Sequence, residues 1–197
     1  MADVPFIPET ITVHLGLPDQ AAENVTVSFP DYIKNVASSE IYPTWEESAL
    51  RANILAIVSF ALNRVYTEFY RSRGYDFDIT NSTRVDQAFV PNRDIFENIS
   101  RIVDEIFNDY VVREGTVNPL FTQFCNGTTS TCNGLSQWGT VTLANEGKTP
   151  FEILKYYYGN DINIIQNAPV ENILESYPGR PIKIGERSND VLTIQEE

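Results

Sequence analysis

TWEESALRANILAIVSFALNRVYTEF, Thr44 to Phe69, is the stretch on which the fold turns. Thr44 with Glu47 three residues on has the form of a capping box, in which two side chains satisfy helix-end amides reciprocally. Leu50, Ile54, Ile57, Val58, Ala61, Val65 and Phe69 then recur at three- and four-residue spacings. Few charges interrupt them, and a helix with so little polar face belongs in an interior. The spacing predicts a long buried helix from Thr44, stopped around Gly74, as the central pillar of the domain.

Upstream, residues 10–16 and 25–29 alternate and are rich in Val, Ile and Thr, so they read as strands. Asp31 is the expected N-cap of a short helix ending near Glu40. Downstream, 75–93 reads as strand and loop. Asp94-Ile95-Phe96-Glu97 repeats the capping-box form and opens a helix whose stripe is Phe96, Ile99, Val103, Ile106 and Tyr110. Residues 117–125 read as a strand and 136–147 as a helix. Thr149, Pro150 and Glu152 form a start signal for a helix ending at Gly159. From about Asn160 the chain is proline-bearing and linker-like, and SNDVLTIQEE resembles the opening turns of one more helix. The expected class is α+β, helices packed around a mixed β-sheet.

The 197 residues are 42% hydrophobic and 21% charged, enough for one domain with a core. A net charge of −13 argues against nucleic acid and anionic membrane surfaces as partners. No apolar run approaches the ~20 residues of a membrane span, and MADVPFIPET lacks the basic start and apolar stretch of a secretory signal. The one histidine, His14, lies in a strand-like run and reads as a packed or surface residue. A triad base could be only that residue, and no GxSxG, GxGxxG or Walker loop is present. An enzyme built without a metal would therefore use a carboxylate as its acid or base. Cys125 and Cys132 either close a small disulfide loop or stand as two free thiols.

GLSQWGTVTLANEGKTPFEILKYYYG, Gly134 to Gly159, resembles the closing motif of the stage II sporulation protein D family. VASSEIYPTWEESALRANILA, Val36 to Ala56, is similar to its opening motif, and Asp86-Gln87 in STRVDQAF to the Gln-containing strand between them. The closest likeness is to spore cortex-lytic transglycosylases of endospore formers. The tail from Tyr177 resembles the start of a peptidoglycan-binding module. On this reading residues 1–24 are an N-terminal strand region and 25–160 the catalytic domain. Residues 161–180 are a linker and 181–197 the truncated start of the module. Thr131 stands where the family carries a His, Val58 where it carries an Arg, and DITNSTRVDQ lacks the Cys/His cluster of some members.

The resemblance implies cleavage of peptidoglycan between N-acetylmuramic acid and N-acetylglucosamine, in the spore cortex or cell wall. Glycan strands are the partner, with an activating protease or another wall enzyme as a further one, and neither cofactor nor metal is expected. One carboxyl group suffices, because the attacking C6 hydroxyl is already tethered to the sugar. Glu40 is the implied catalytic residue, its pKa raised by burial beside Ile41, Tyr42 and Trp45. Ser136, Gln137 and Trp138 are implied substrate contacts, and Gln87 and Asn126 further polar ones. Without the resemblance, Glu40 reads as a helix-end residue and Trp138 as core. The competing reading is a non-catalytic glycan-binding or amidase-enhancing scaffold module of the same fold.

Overall fold

The computed structural model describes residues 5–171. The expected final helix, the module start at 181–197 and the linker from 172 on lie outside the described residues. Strand β1 (Thr10–His14) pairs antiparallel with β2 (Asn24–Ser28), in register from Thr10↔Ser28 to His14↔Asn24. Ile11 and Val13 are the inward-facing residues of β1, as period-two alternation requires. On its other edge β1 pairs parallel with the short β3 (Ile79–Thr80). This is the mixed sheet, order β2-β1-β3. His14 is a packed residue: it stacks on Phe77 at 4.4 Å and bonds Asn24 and the Gln20 carbonyl.

Helix α1 (Phe29–Glu40) starts earlier than Asp31 because Ser28 is the N-cap and its hydroxyl accepts from the Asp31 amide. Pro30 lies in the first turn, where no amide is missed. Helix α2 (Glu47–Tyr66) is the expected pillar, with Leu50, Ile54, Ile57, Val58 and Ala61 all buried. It packs against α1, β3 and four elements introduced below. Its N-cap position is Glu46, without a side-chain cap, so Thr44 does not make the expected box. Thr44 is instead drawn into a turn closed by the Trp45 amide on the Tyr42 carbonyl. The helix also stops at Tyr66, well before Gly74, and a 3-10 turn, Arg71–Arg73, follows.

Buried polar groups on α2 fasten other elements to it. Asn53 donates to the Thr140 hydroxyl at 2.9 Å, and Ser59 accepts from the Val111 amide at 2.8 Å. Buried polar groups are bonded in the large majority of cases, because an unpaired one carries its full desolvation cost. Helix α3 (Glu97–Ile106) begins three residues later than the Asp94 signal suggests. Its stripe ends with Ile106, and Tyr110 opens strand β4 (Tyr110–Arg113), burying its ring and donating to the Val117 carbonyl. Strand β4 pairs antiparallel with β7 (Ile162–Ile165), which lies in the stretch read as irregular.

The strand expected at 117–125 is confined to β5 (Phe124–Cys125), parallel to β6 (Leu135–Ser136). Helices α4 (Gln137–Asn145) and α5 (Pro150–Tyr158) follow, the latter with the full Thr149/Glu152 capping box. The class is α+β. Among the described residues the strands form three small sheets, one of them mixed, and α2 packs against β3 and β4 and all four other helices. Among the described residues no helix is long and apolar enough to cross a membrane.

Candidate functional site

Glu40 is the last residue of α1. Its Oε2 accepts from the Ala88 amide at 2.9 Å and its Oε1 from Gln137 Nε2 at 3.3 Å. One carboxyl group thus joins the end of α1, the segment after β3 and the first turn of α4. Burial pushes its pKa above the ordinary glutamate value, and the Ala88 and Gln137 hydrogen bonds offset only part of that rise. The position at a helix C-terminus, the negative end of the dipole, also gives an anion no help.

Two cavities meet at this group. One, of about 550 Å³, is walled by Tyr42, Trp45, Arg93 and Trp138. The other, of about 410 Å³, is walled by Thr83, Ser130, Thr131 and the Cys125–Cys132 disulfide. Glu40, Asn126 and Gln137 line both. In the first, Trp45 and Trp138 lie 4.8 Å apart by ring centroids, with Tyr42 5.7 and 5.6 Å from them. Tyr42 and Trp138 remain 56% and 41% exposed, so Trp138 is not core. Exposed aromatic faces beside a sheltered carboxyl group suit a ligand with apolar ring faces and polar rims. Arg93, at the same wall, bonds the Asp94 carbonyl and has no carboxylate partner among the described residues.

The Gly134–Gly139 turn builds this junction from its residue types. A Cβ on Gly134 would lie 1.9 Å from the Gln123 carbonyl oxygen, so only glycine lets β6 approach. Ser136 caps α4 by accepting from the Gly139 amide at 3.0 Å. A Cβ on Gly139 would lie 2.0 Å from the Tyr157 hydroxyl. Gln137 is 3% exposed, its amide held toward Glu40. Gly134→Ala is expected to cost about 1–3 kcal/mol of unfolding free energy by forced overpacking. Urea titration followed by Trp fluorescence would measure it, and an unchanged midpoint would contradict this account of the turn.

The sequence candidates divide. Glu40, Gln137, Trp138 and Asn126 come together at the cavities. Asn126 spends its side chain locally: Oδ1 accepts from the amides of Thr128, Thr129 and Ser130, and Nδ2 donates to Thr129. It shapes the disulfide-closed loop. Ser136 is a helix cap and lines neither cavity. Gln87 is a correction: it is fully buried, its Nε2 donating to the Tyr32 hydroxyl and the Ile57 carbonyl, and it lines neither of these two cavities. A polar residue in an extended run gives no sign of which way it points. The Ala88 amide, a backbone group, and Arg93 were missed for the same reason. In the Tyr156-Tyr157-Tyr158 run of α5, Tyr158 is buried and Tyr156 is exposed. Among the described residues no group of three or more His, Cys, Asp or Glu is placed to hold a metal ion.

Residues 19–107 match the model of the family described as Stage II sporulation protein. That stretch, which holds Glu40 and the Ala88 segment, is similar to the stage II sporulation protein D family, to which the chain's motifs also pointed. The Gly134–Gly159 motif lies beyond the matched residues. No curated protein matches the chain.

Proposed function

We propose that the chain is a peptidoglycan lytic transglycosylase acting at the spore cortex or cell wall, with Glu40 as acid and then base. The family match supports a role in the wall chemistry of sporulation. The single observation that carries the finer reading is the Glu40 carboxyl group, sheltered, raised in pKa and set where two cavities meet. A chain of sugars threaded through both cavities would put one linkage beside it.

Protonated Glu40 gives its proton to the glycosidic oxygen between N-acetylmuramic acid and N-acetylglucosamine. The C1–O bond breaks, and the N-acetylglucosamine side leaves as an alcohol. Positive charge develops at C1 and the ring oxygen of the muramic residue, beside the new carboxylate. Glu40 then takes the proton of that residue's own C6 hydroxyl, whose oxygen bonds to C1 and closes the 1,6-anhydro ring. The carboxyl group ends as it began, and no water is consumed. Gln137 and Ala88 meet the carboxylate charge while it lasts. Tyr42 and Trp138 offer faces for sugar rings.

Digestion of purified cortex-type and vegetative peptidoglycan, read by mass spectrometry, tests the reading. Anhydro-muramyl ends are expected. Reducing muramic ends would mean a hydrolase, and intact glycan that still binds the chain would mean the scaffold module. Trp138→Ala is expected to raise KM about tenfold with kcat changed less, since a lost stacking face is worth about 1–3 kcal/mol by the scale of aromatic truncations. A kcat loss at constant KM would place Trp138 elsewhere in the reaction.

A further inference from the structure

We infer that Asn35 and Asp86 are positioning residues for Glu40, holding residues 86–90 from both ends so that the Ala88 amide stays on the Glu40 carboxyl group. The inference rests on the proposed role of Glu40 as acid and base.

The segment leaves β3 and passes beneath the site. At its start, Asp86 has no exposed side-chain surface. Its Oδ1 accepts from Arg64 Nε at 2.7 Å. Its Oδ2 accepts from the Tyr70 hydroxyl at 2.6 Å, the Thr80 hydroxyl at 2.7 Å and the Thr80 amide at 3.0 Å. At the far end, Asn35 grips the backbone of Val90 at two points: Nδ2 donates to its carbonyl at 2.8 Å and Oδ1 accepts from its amide at 2.9 Å. Asn35 copies the bonding of a neighbouring strand where no strand is present. It stands on α1, the helix that ends in Glu40, so acid and clamp share one rigid element. Ala88 lies midway, its amide 2.9 Å from Glu40 Oε2.

The bond selects which oxygen works. Both oxygens accept an N–H, but the Ala88 bond to Oε2 is the shorter, 2.9 Å against 3.3 Å from Gln137 to Oε1, so Oε2 is favoured as the carbonyl oxygen and the transferable proton belongs on Oε1. When the proton leaves, the charge spreads over both oxygens, and each already faces a donor. Fixed donors at a developing charge need no reorganisation during the step. A loop free to drift would lose both effects.

The test uses Asn35→Ala, with Thr80→Val as a milder variant that removes one hydroxyl from Asp86 and keeps its shape. For each, kcat and KM are measured across pH on cortex glycan, with urea stability alongside. Losing a well-aimed donor costs roughly a hundred- to thousandfold in kcat. That loss is expected for Asn35→Ala with KM unchanged, and a smaller one for Thr80→Val. The alkaline limb of the kcat profile should move to higher pH, because the anion has lost a stabilising partner. The charged and titratable groups around Glu40 stay in place in both variants: Asp86 with Arg64, Arg93, Tyr42 and the buried Tyr32. A stability loss with an unmoved profile and a KM change would make Asn35 merely structural and overturn the inference. Carbon-13 NMR of labelled glutamate, with the resonance assigned by Glu40→Gln, follows Glu40 without any reaction. An upward shift of its titration in Asn35→Ala supports the clamp even if the wild-type chain cleaves nothing. An unchanged titration overturns it even if the chain cleaves glycan.

Discussion

Glu40→Gln is expected to lower formation of anhydro-muramyl ends by roughly a thousandfold, within the 10²–10⁴ range of positioned acid–base groups. The amide keeps the shape of the carboxyl group and an oxygen that can accept from Ala88 or Gln137. It has no proton acidic enough to give to a glycosidic oxygen, and no basic site for the C6 hydroxyl. Binding should survive, so the variant should still sediment with insoluble glycan while mass spectrometry shows no anhydro ends. Anhydro ends at the wild-type rate would remove Glu40 from the mechanism.

The same substitution should not weaken the fold at neutral pH. Burial holds the Glu40 pKa above its unfolded value near ~4.3. The folded chain therefore binds that proton more tightly than the unfolded chain does. The stability this linkage gives is fully present below the unfolded pKa and is lost as pH rises through the folded one. At pH 7 a sheltered carboxylate is a cost, which glutamine removes. Tm of Glu40→Gln should equal or exceed wild type at pH 7, with the advantage shrinking as pH falls into the acid range. Activity should fall as pH rises, because the acid form is the competent one. A Tm that drops at pH 7 would mean Glu40 is held for structure.

How much of this was legible depended on distance along the chain. The Thr149 box is local, and both halves formed as read. The Thr44 box has the same letters but lost to tertiary contacts: Tyr42 and Trp45 turn to meet Trp138, which takes Thr44 out of capping position. The Asp94 signal failed similarly, since the Ser38 hydroxyl meets the Phe96 amide and Arg93 holds the Asp94 carbonyl. Tyr110 fits the helical spacing of α3 yet belongs to a strand whose partner lies some fifty residues on, at Ile162–Ile165. Glu40 and Gln137 were readable as members of motifs. The backbone amide that also meets Glu40 lies in a segment bonded by Asn35 and by Asp86 with its partner Arg64, and none of these carries a motif of its own. Motifs bring Glu40 and Gln137 to notice, whereas the buried polar residues around the Ala88 segment become visible only in the fold.

Arg64→Met is expected to destabilise the fold by about 3–5 kcal/mol, the cost of leaving a buried charge without its partner. Arg64 and Asp86 side chains are 8% and 0% exposed and meet at 2.7 Å. The guanidinium also donates to the Val85 carbonyl and lies 3.8 Å from the centroid of Phe69, with Phe60 and Phe121 nearby. Methionine can fill the aliphatic volume but offers Asp86 nothing. Asp86→Asn alone should be damaging for the converse reason. The double variant should recover much of the loss, because a buried pair replaced as a unit often costs little. A double-mutant cycle by urea denaturation would give the coupling directly. The exposed pair Arg113–Asp161, 43% and 67% exposed, is the control and should contribute about 0–1 kcal/mol. If Arg64→Met costs no more than Arg113→Met, the buried pair is not what anchors the Ala88 segment. If the double variant recovers stability but not kcat, then Asp86 matters to the reaction through the place it gives that segment and not through folding energy alone.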